Sequence, residues 1–295
     1  PSIEDNLQIA KLYTEWEILA HSVGDDLVAE QKFRLVVDAC PNQIPARTEL
    51  GRLLAPQSGR EKEAEKYFRE AIVINPQHLH SRTELGRLLS KQKGREREAE
   101  QYLLEAIAIN SKHLHSRIEL GKLLSTQEDR RNEAKKYFLE VLEIDPNNLP
   151  AHTELGRFLA AQKGCEKEAE EYFRSAIRIN PKHLHSRTEL GMLLAKQEGR
   201  EREAEELYRE AFRIEPTHCH SRIELGRLLA TQNGREKEAE ICFREVLNIN
   251  PQNFYGHFEL GTFLEKLSGR SSEAKYHLNK AKEINPTLFN SLRET

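Results

Sequence analysis

Cysteine, methionine and tryptophan are scarce in these 295 residues, at four, one and one, and no apolar run approaches the length of a membrane span. The cysteines, Cys40, Cys165, Cys219 and Cys242, form no CxxC pair. That argues against a disulfide framework or a zinc site and for reduced thiols in a cytoplasmic protein. Apolar residues are thin too: 38% of the chain is hydrophobic and 32% charged, too lean for one large globular core. Neither sign of charge is in excess, since 45 basic and 48 acidic residues leave −3, so the whole chain is not built to coat nucleic acid or a membrane. No GxSxG, phosphate-binding glycine loop or HExxH is present, so the expectation is no enzyme, no cofactor and no metal.

Repetition is what the chain does have. Residues 78–89 read HLHSRTELGRLL, 113–124 HLHSRIELGKLL, 183–194 HLHSRTELGMLL and 218–229 HCHSRIELGRLL. From Ile44 the chain divides into seven 35-residue units, 44–78, 79–113, 114–148, 149–183, 184–218, 219–253 and 254–288, with no insertion or deletion. Gly51, Gly86, Gly121, Gly156, Gly191, Gly226 and Gly261 share one column, each preceded by Leu. Ala64, Ala99, Ala134, Ala169, Ala204, Ala239 and Ala274 share another, each preceded by Glu.

Each unit predicts two helices. In the second, Leu85, Leu88 and Leu89 make an apolar stripe on a first helix, which Gly94 is expected to cap. A second helix follows, with Ala99, Leu103, Ala106 and Ile107 facing inward and acidic residues in its first turn. Asn-Pro, Asp-Pro or Glu-Pro closes six of the units. The small columns are expected to let helices cross closely, so leucine at Gly156 would overpack the crossing.

The Leu-Gly pair, the early Ala of the second helix, the Ala or Val seven residues later and the closing Pro resemble the tetratricopeptide repeat family. The resemblance implies an all-α fold, a right-handed superhelical solenoid of antiparallel helix pairs. Residues 1–43 fit the frame more loosely, with Trp16 in the Gly column, and read as a degenerate N-terminal capping pair; 289–295 read as the start of a C-terminal capping helix. Units are one residue longer than the usual 34 of the family. Arg47, Arg82, Arg117, Arg187 and Arg222, or His152 and His257, stand where it commonly has a large aromatic, and Asp129 replaces one turn glycine. The period also suits the RNA-reading pentatricopeptide repeats, but the Asn-Pro closure and the Gly and Ala columns match them less well.

Stacked hairpins line a concave face with their first helices. His80, Glu84, Arg87 and Lys91 form one stripe there, and Glu49, Glu119, Glu154, Glu189, Glu224 and Glu259 continue its acidic column beside Arg52, Lys122, Arg157, Met192, Arg227 and Thr262. The plain reading is a self-paired ladder of charge. The functional reading is a groove for a peptide or protein partner, with polar contacts from His80, Glu84, Arg87, Glu119, Lys122, Glu154, Arg157, Glu189, Glu224 and Arg227. Met192, Ile223, Tyr255 and Phe258 would be its apolar anchors, although Tyr255 and Phe258 also suit a terminal cap.

The groove column is neutral unless the five helix-opening arginines turn into it. In that case it becomes strongly basic and suits RNA or an acidic ligand instead. A third reading makes the array a sensing or dimerising arm of a larger protein. The HxH pairs lie one helix spacing apart between units, too far to share an ion.

Overall fold

The two periodicities become helices in register with the repeat. The computed structural model describes residues 26–293, all of whose regular structure is helical; Trp16, and with it most of the expected N-terminal cap, lies outside them. The chain divides into two compact units, Pro1–Ile144 and Asp145–Thr295.

In the first unit the helices are α1 (Asp26–Ala39), α2 (Ile44–Leu54), α3 (Glu61–Ile74), α4 (Leu79–Leu89), α5 (Glu96–Ile109), α6 (Leu114–Ser125) and α7 (Arg131–Ile144). The second holds α8 (Leu149–Ala160), α9 (Glu166–Ile179), α10 (Leu184–Ala195), α11 (Glu201–Ile214), α12 (Cys219–Ala230), α13 (Glu236–Ile249), α14 (Phe254–Glu265), α15 (Ser271–Ile284) and the short α16 (Pro286–Arg293). Each first helix packs on the second helix of its own hairpin, and within each unit successive hairpins stack.

The core is a repeated layer. Leu85, Leu89, Ala99, Leu103 and Ala106 are fully buried, as are their counterparts Leu190, Leu194, Ala204 and Ala211. The helix crossing differs from the expected meeting of small residues. A Cβ on Gly156 would lie 2.7 Å from the Phe173 ring, and one on Gly191 2.5 Å from the Tyr208 ring. The glycine thus admits a large side chain of the second helix, and the buried alanine lies one turn before that side chain.

Turn chemistry corrects a second expectation. Helix α4 ends at Leu89, and Gly94 lies beyond it in the connecting turn at φ +85°, where left-handed backbone favours glycine. Its N–H donates to the Glu96 carboxylate (3.0 Å), so the acidic first turn of the second helix also fastens the loop. Where Asp129 replaces this glycine, the chain takes a 3-10 turn over Glu128–Arg130 and no positive φ is needed.

An arginine–glutamate lattice joins neighbouring second helices. Arg95 reaches Glu65 of the preceding hairpin at 2.5 and 2.9 Å and its own Glu98 at 2.5 Å. Arg235 does the same with Glu205 and Glu238. Bonding to Arg235 carries the Glu205 carboxyl down to about 2, against the pull of burial.

Candidate functional site

The helix-opening arginines decide the sign of the groove. Arg82 Nε donates to Glu105 on the second helix of its own hairpin (3.2 Å), and Arg117, Arg187 and Arg222 likewise reach Glu140, Glu210 and Glu245 at 3.0, 3.2 and 3.1 Å. Arg47 joins Glu70 at 3.2 Å. All five are spent on hairpin closure, and their side chains are at most 12% exposed. The strongly basic groove is therefore absent.

The first histidine of each HxH pair is structural. His78 is the N-cap of α4, and its Nδ1 lies 3.3 Å from the Ser81 N–H and 2.8 Å from Ser81 Oγ. The same hydroxyl meets Thr48 of the preceding hairpin at 2.7 Å. Thr153, Ser186 and His183 repeat the whole arrangement, and Thr83, Ser116 and His113 repeat its side-chain bonds. These serines are fully buried, so each ties the histidine at the start of its helix to the neighbouring hairpin.

The remaining charges line the first-helix face. In the first unit they match one to one. Glu49 pairs with Arg52 (2.8 Å), Glu84 with Arg87 (2.5 Å) and Glu119 with Lys122 (2.9 Å). His80 lies 3.9 Å from Glu49, and His115 3.5 Å from Glu84. Burial alone would raise the Glu84 carboxyl, but the His115 bond and the Arg87 charge and bond bring it down to about 2.

In the second unit the matching fails. Arg157 serves both Glu154 (3.1 Å) and Glu189 (3.6 Å), and Arg227 serves both Glu224 (2.6 Å) and Glu259 (2.5 Å). Met192 and Thr262 occupy the other two cation positions of the column. Burial here pushes the Glu189 and Glu224 carboxyls up, and their arginines only partly offset it. Burial also lowers His185, and lowers His220 to about 4, so the two imidazoles beside these acids are neutral at pH 7.

A cavity of about 520 Å³ opens on this stretch, lined by Met192, Cys219, His220, Ile223, Glu224, Arg227, Asn253 and Tyr255. Tyr255 is 42% exposed and Met192 half-buried, whereas Ile223 shows only its edge. Phe258 does not join them. It stacks on Phe254 and meets Phe289 of α16 edge-on, in a terminal cluster with Leu278 and Ala281, so the cap covers it and leaves it nothing for a partner. Cys219, His220 and Asn253 were not among the expected contacts. The His-Cys-His interruption of the repeated phrase was the signal available for the first two.

The tetratricopeptide repeat profile aligns with residues 45–78, 79–113, 114–148, 149–183, 184–218 and 220–253. The chain belongs to the tetratricopeptide repeat family. No curated protein sequence matches it. Among solved structures, yeast Tom70 superposes with a TM-score of 0.73 at 16% identity, covering 91% of this chain and 57% of Tom70. This tetratricopeptide chain thus spans less than two thirds of that neighbour. A human IFIT1 dimer with m7Gppp-AAAA superposes with a TM-score of 0.65 at 17% identity, covering 91% of this chain and 70% of IFIT1. At such identities the likeness is one of fold. Among the described residues no helix is long and apolar enough to cross a membrane.

Proposed function

We propose that this chain is a non-enzymatic scaffold that holds an extended segment of a protein partner on the first-helix face of its second unit. One observation carries the reading. The charged ladder is interrupted where Met192, Ile223 and Tyr255 meet at a cavity large enough for one or two side chains, about 520 Å³. An exposed tyrosine over an apolar floor, rimmed by polar groups, is the usual make-up of an anchoring pocket. Cys219 in its wall is a poor nucleophile, since burial pushes its thiol up. The cap serines are fully buried and out of reach of a substrate.

RNA or an acidic ligand is the weaker reading, because the arginines it needs are bound to second-helix glutamates. The neighbour solved with m7Gppp-AAAA resembles this chain in fold, and its ligand is its own.

Peptides selected from a displayed dodecamer library against the full chain provide the test. Tyr255→Ala should weaken their binding, measured by fluorescence anisotropy, by about tenfold or more. Val73→Ala, on an exposed second-helix position of the first unit, should leave it unchanged. Loss with Val73→Ala and none with Tyr255→Ala would place binding elsewhere. Affinity for mixed RNA that falls steeply with salt would favour the backbone reading instead.

A further inference from the structure

Two guanidinium groups serve four carboxylates along the first helices of the second unit, whereas in the first unit each carboxylate has its own cation. We infer that the partner segment presents a lysine or arginine side chain next to an aliphatic or aromatic one. Its cation would sit against Glu189 and Glu224, and its apolar neighbour against Met192, Ile223 and Tyr255. This rests on the groove reading above and adds the chemistry of the occupant.

Met192 stands in a column of cations. At the corresponding position Arg52, Arg87, Lys122, Arg157 and Arg227 each pair with the glutamate three residues earlier. Met192 leaves Glu189 without that partner. Glu189 takes the shared Arg157 at 3.6 Å and the neutral His185 at 3.7 Å, and Lys196 at the end of α10 is a weaker influence on it. Its side chain is only 17% exposed, and that of Glu224 only 10%. Carboxylates so withdrawn from water gain from a nearby cation, and here they repel one another as well: Glu189 is among the charges that raise Glu224, and Glu154 among those that raise Glu189.

Charge and shape then point to one ligand chemistry. An incoming ammonium or guanidinium would restore the missing cation of the column, and its neighbour would find the apolar floor that the methionine supplies. An acidic segment would meet Glu189, Glu224 and Glu259 with Arg227 already engaged on two sides.

Selection of the same dodecamer library on the full chain, wild type beside Met192→Arg, tests this directly. Wild-type selections should be rich in Lys or Arg adjoining Leu, Ile, Phe or Tyr. Changing that basic residue to Gln should weaken a selected peptide by about tenfold, the loss expected for one charged hydrogen-bonded contact. Met192→Arg, which supplies the cation in cis, should erase the preference for Lys and Arg.

Three other results overturn the inference. Selected peptides with apolar residues, no basic preference and sensitivity to Tyr255→Ala would leave the groove reading intact and end the basic one. Acidic enrichment would reverse it. No selection from the library at all would end both readings. Thermal melting of Met192→Arg close to that of wild type shows that the changed selection is not a folding defect.

Discussion

At the scale of single residues, arginine opens a first helix only where glutamate stands twenty-three positions later in the same hairpin. Arg47, Arg82, Arg117, Arg187 and Arg222 have Glu70, Glu105, Glu140, Glu210 and Glu245; His152 and His257 have Ser175 and Lys280. Each arginine is buried beside its glutamate, so losing the acid strands a charge away from water. Glu210→Ser should cost about 1–3 kcal/mol. Adding Arg187→His, which recreates the His152 and Ser175 combination, should recover part of that, with a coupling of roughly 0.5–3 kcal/mol in a urea-denaturation double-mutant cycle. Additive losses would mean that the pair does not act as a pair. A second residue-scale prediction concerns the crossing. Gly156→Leu, whose Cβ alone would lie 2.7 Å from Phe173, should lose about 1–3 kcal/mol, and an unchanged melting temperature would contradict the packing.

The same scale shows why the sequence was legible in part. The helices, their period and the buried columns follow from apolar spacing, which is one-dimensional information. The direction of the arginines was not legible from one helix, because the deciding glutamate lies on another. Pairing the two columns across the units would have settled it. Phe258 could be read as an anchor or as part of a terminal cap, and the choice waited on its cover, α16, a short helix outside the repeated pair.

Whole helices carry the next prediction. In the last hairpin His257 takes the arginine position, and its Nδ1 faces His277 Nδ1 at 2.9 Å while its Nε2 meets the Pro251 carbonyl at 3.0 Å. One proton between the two Nδ1 atoms makes a hydrogen bond; two would force N–H against N–H. Burial first, then His257 and Arg244, push the His277 pKa down, with Glu273 opposing. The unfolded chain therefore takes up a proton near pH 6.5 that the folded chain refuses. The stabilisation is complete above that pH and is lost as pH falls toward the depressed folded value. Hydrogen exchange in α14 and α15, corrected for intrinsic rates, should quicken as pH drops from 7 to 5. His277→Leu, the residue type found at Leu207, should flatten that response. Flat protection in the wild type would show that the pair absorbs the second proton without strain.

At the scale of the whole molecule, the caps matter as much as the core. The N-cap histidines His78, His113 and His183 are each tied through a serine to a threonine of the hairpin before, and each lattice arginine reaches back to the preceding second helix. Within the first unit the hairpins 79–113 and 114–148 thus carry the same plug toward the hairpin before them, and these copies are nearly alike. Excision of residues 79–113 would bring Thr48 against Ser116 and Arg130 against Glu65, the same chemistry as before. That shortened protein should still unfold in one cooperative urea transition, with a smaller m-value as one repeat's surface is lost. Excision of 79–108 would break the phase and should not. A unit assembled from such interchangeable segments can gain or shed a whole link by unequal copying of its gene, and the joint left behind closes with the same residues.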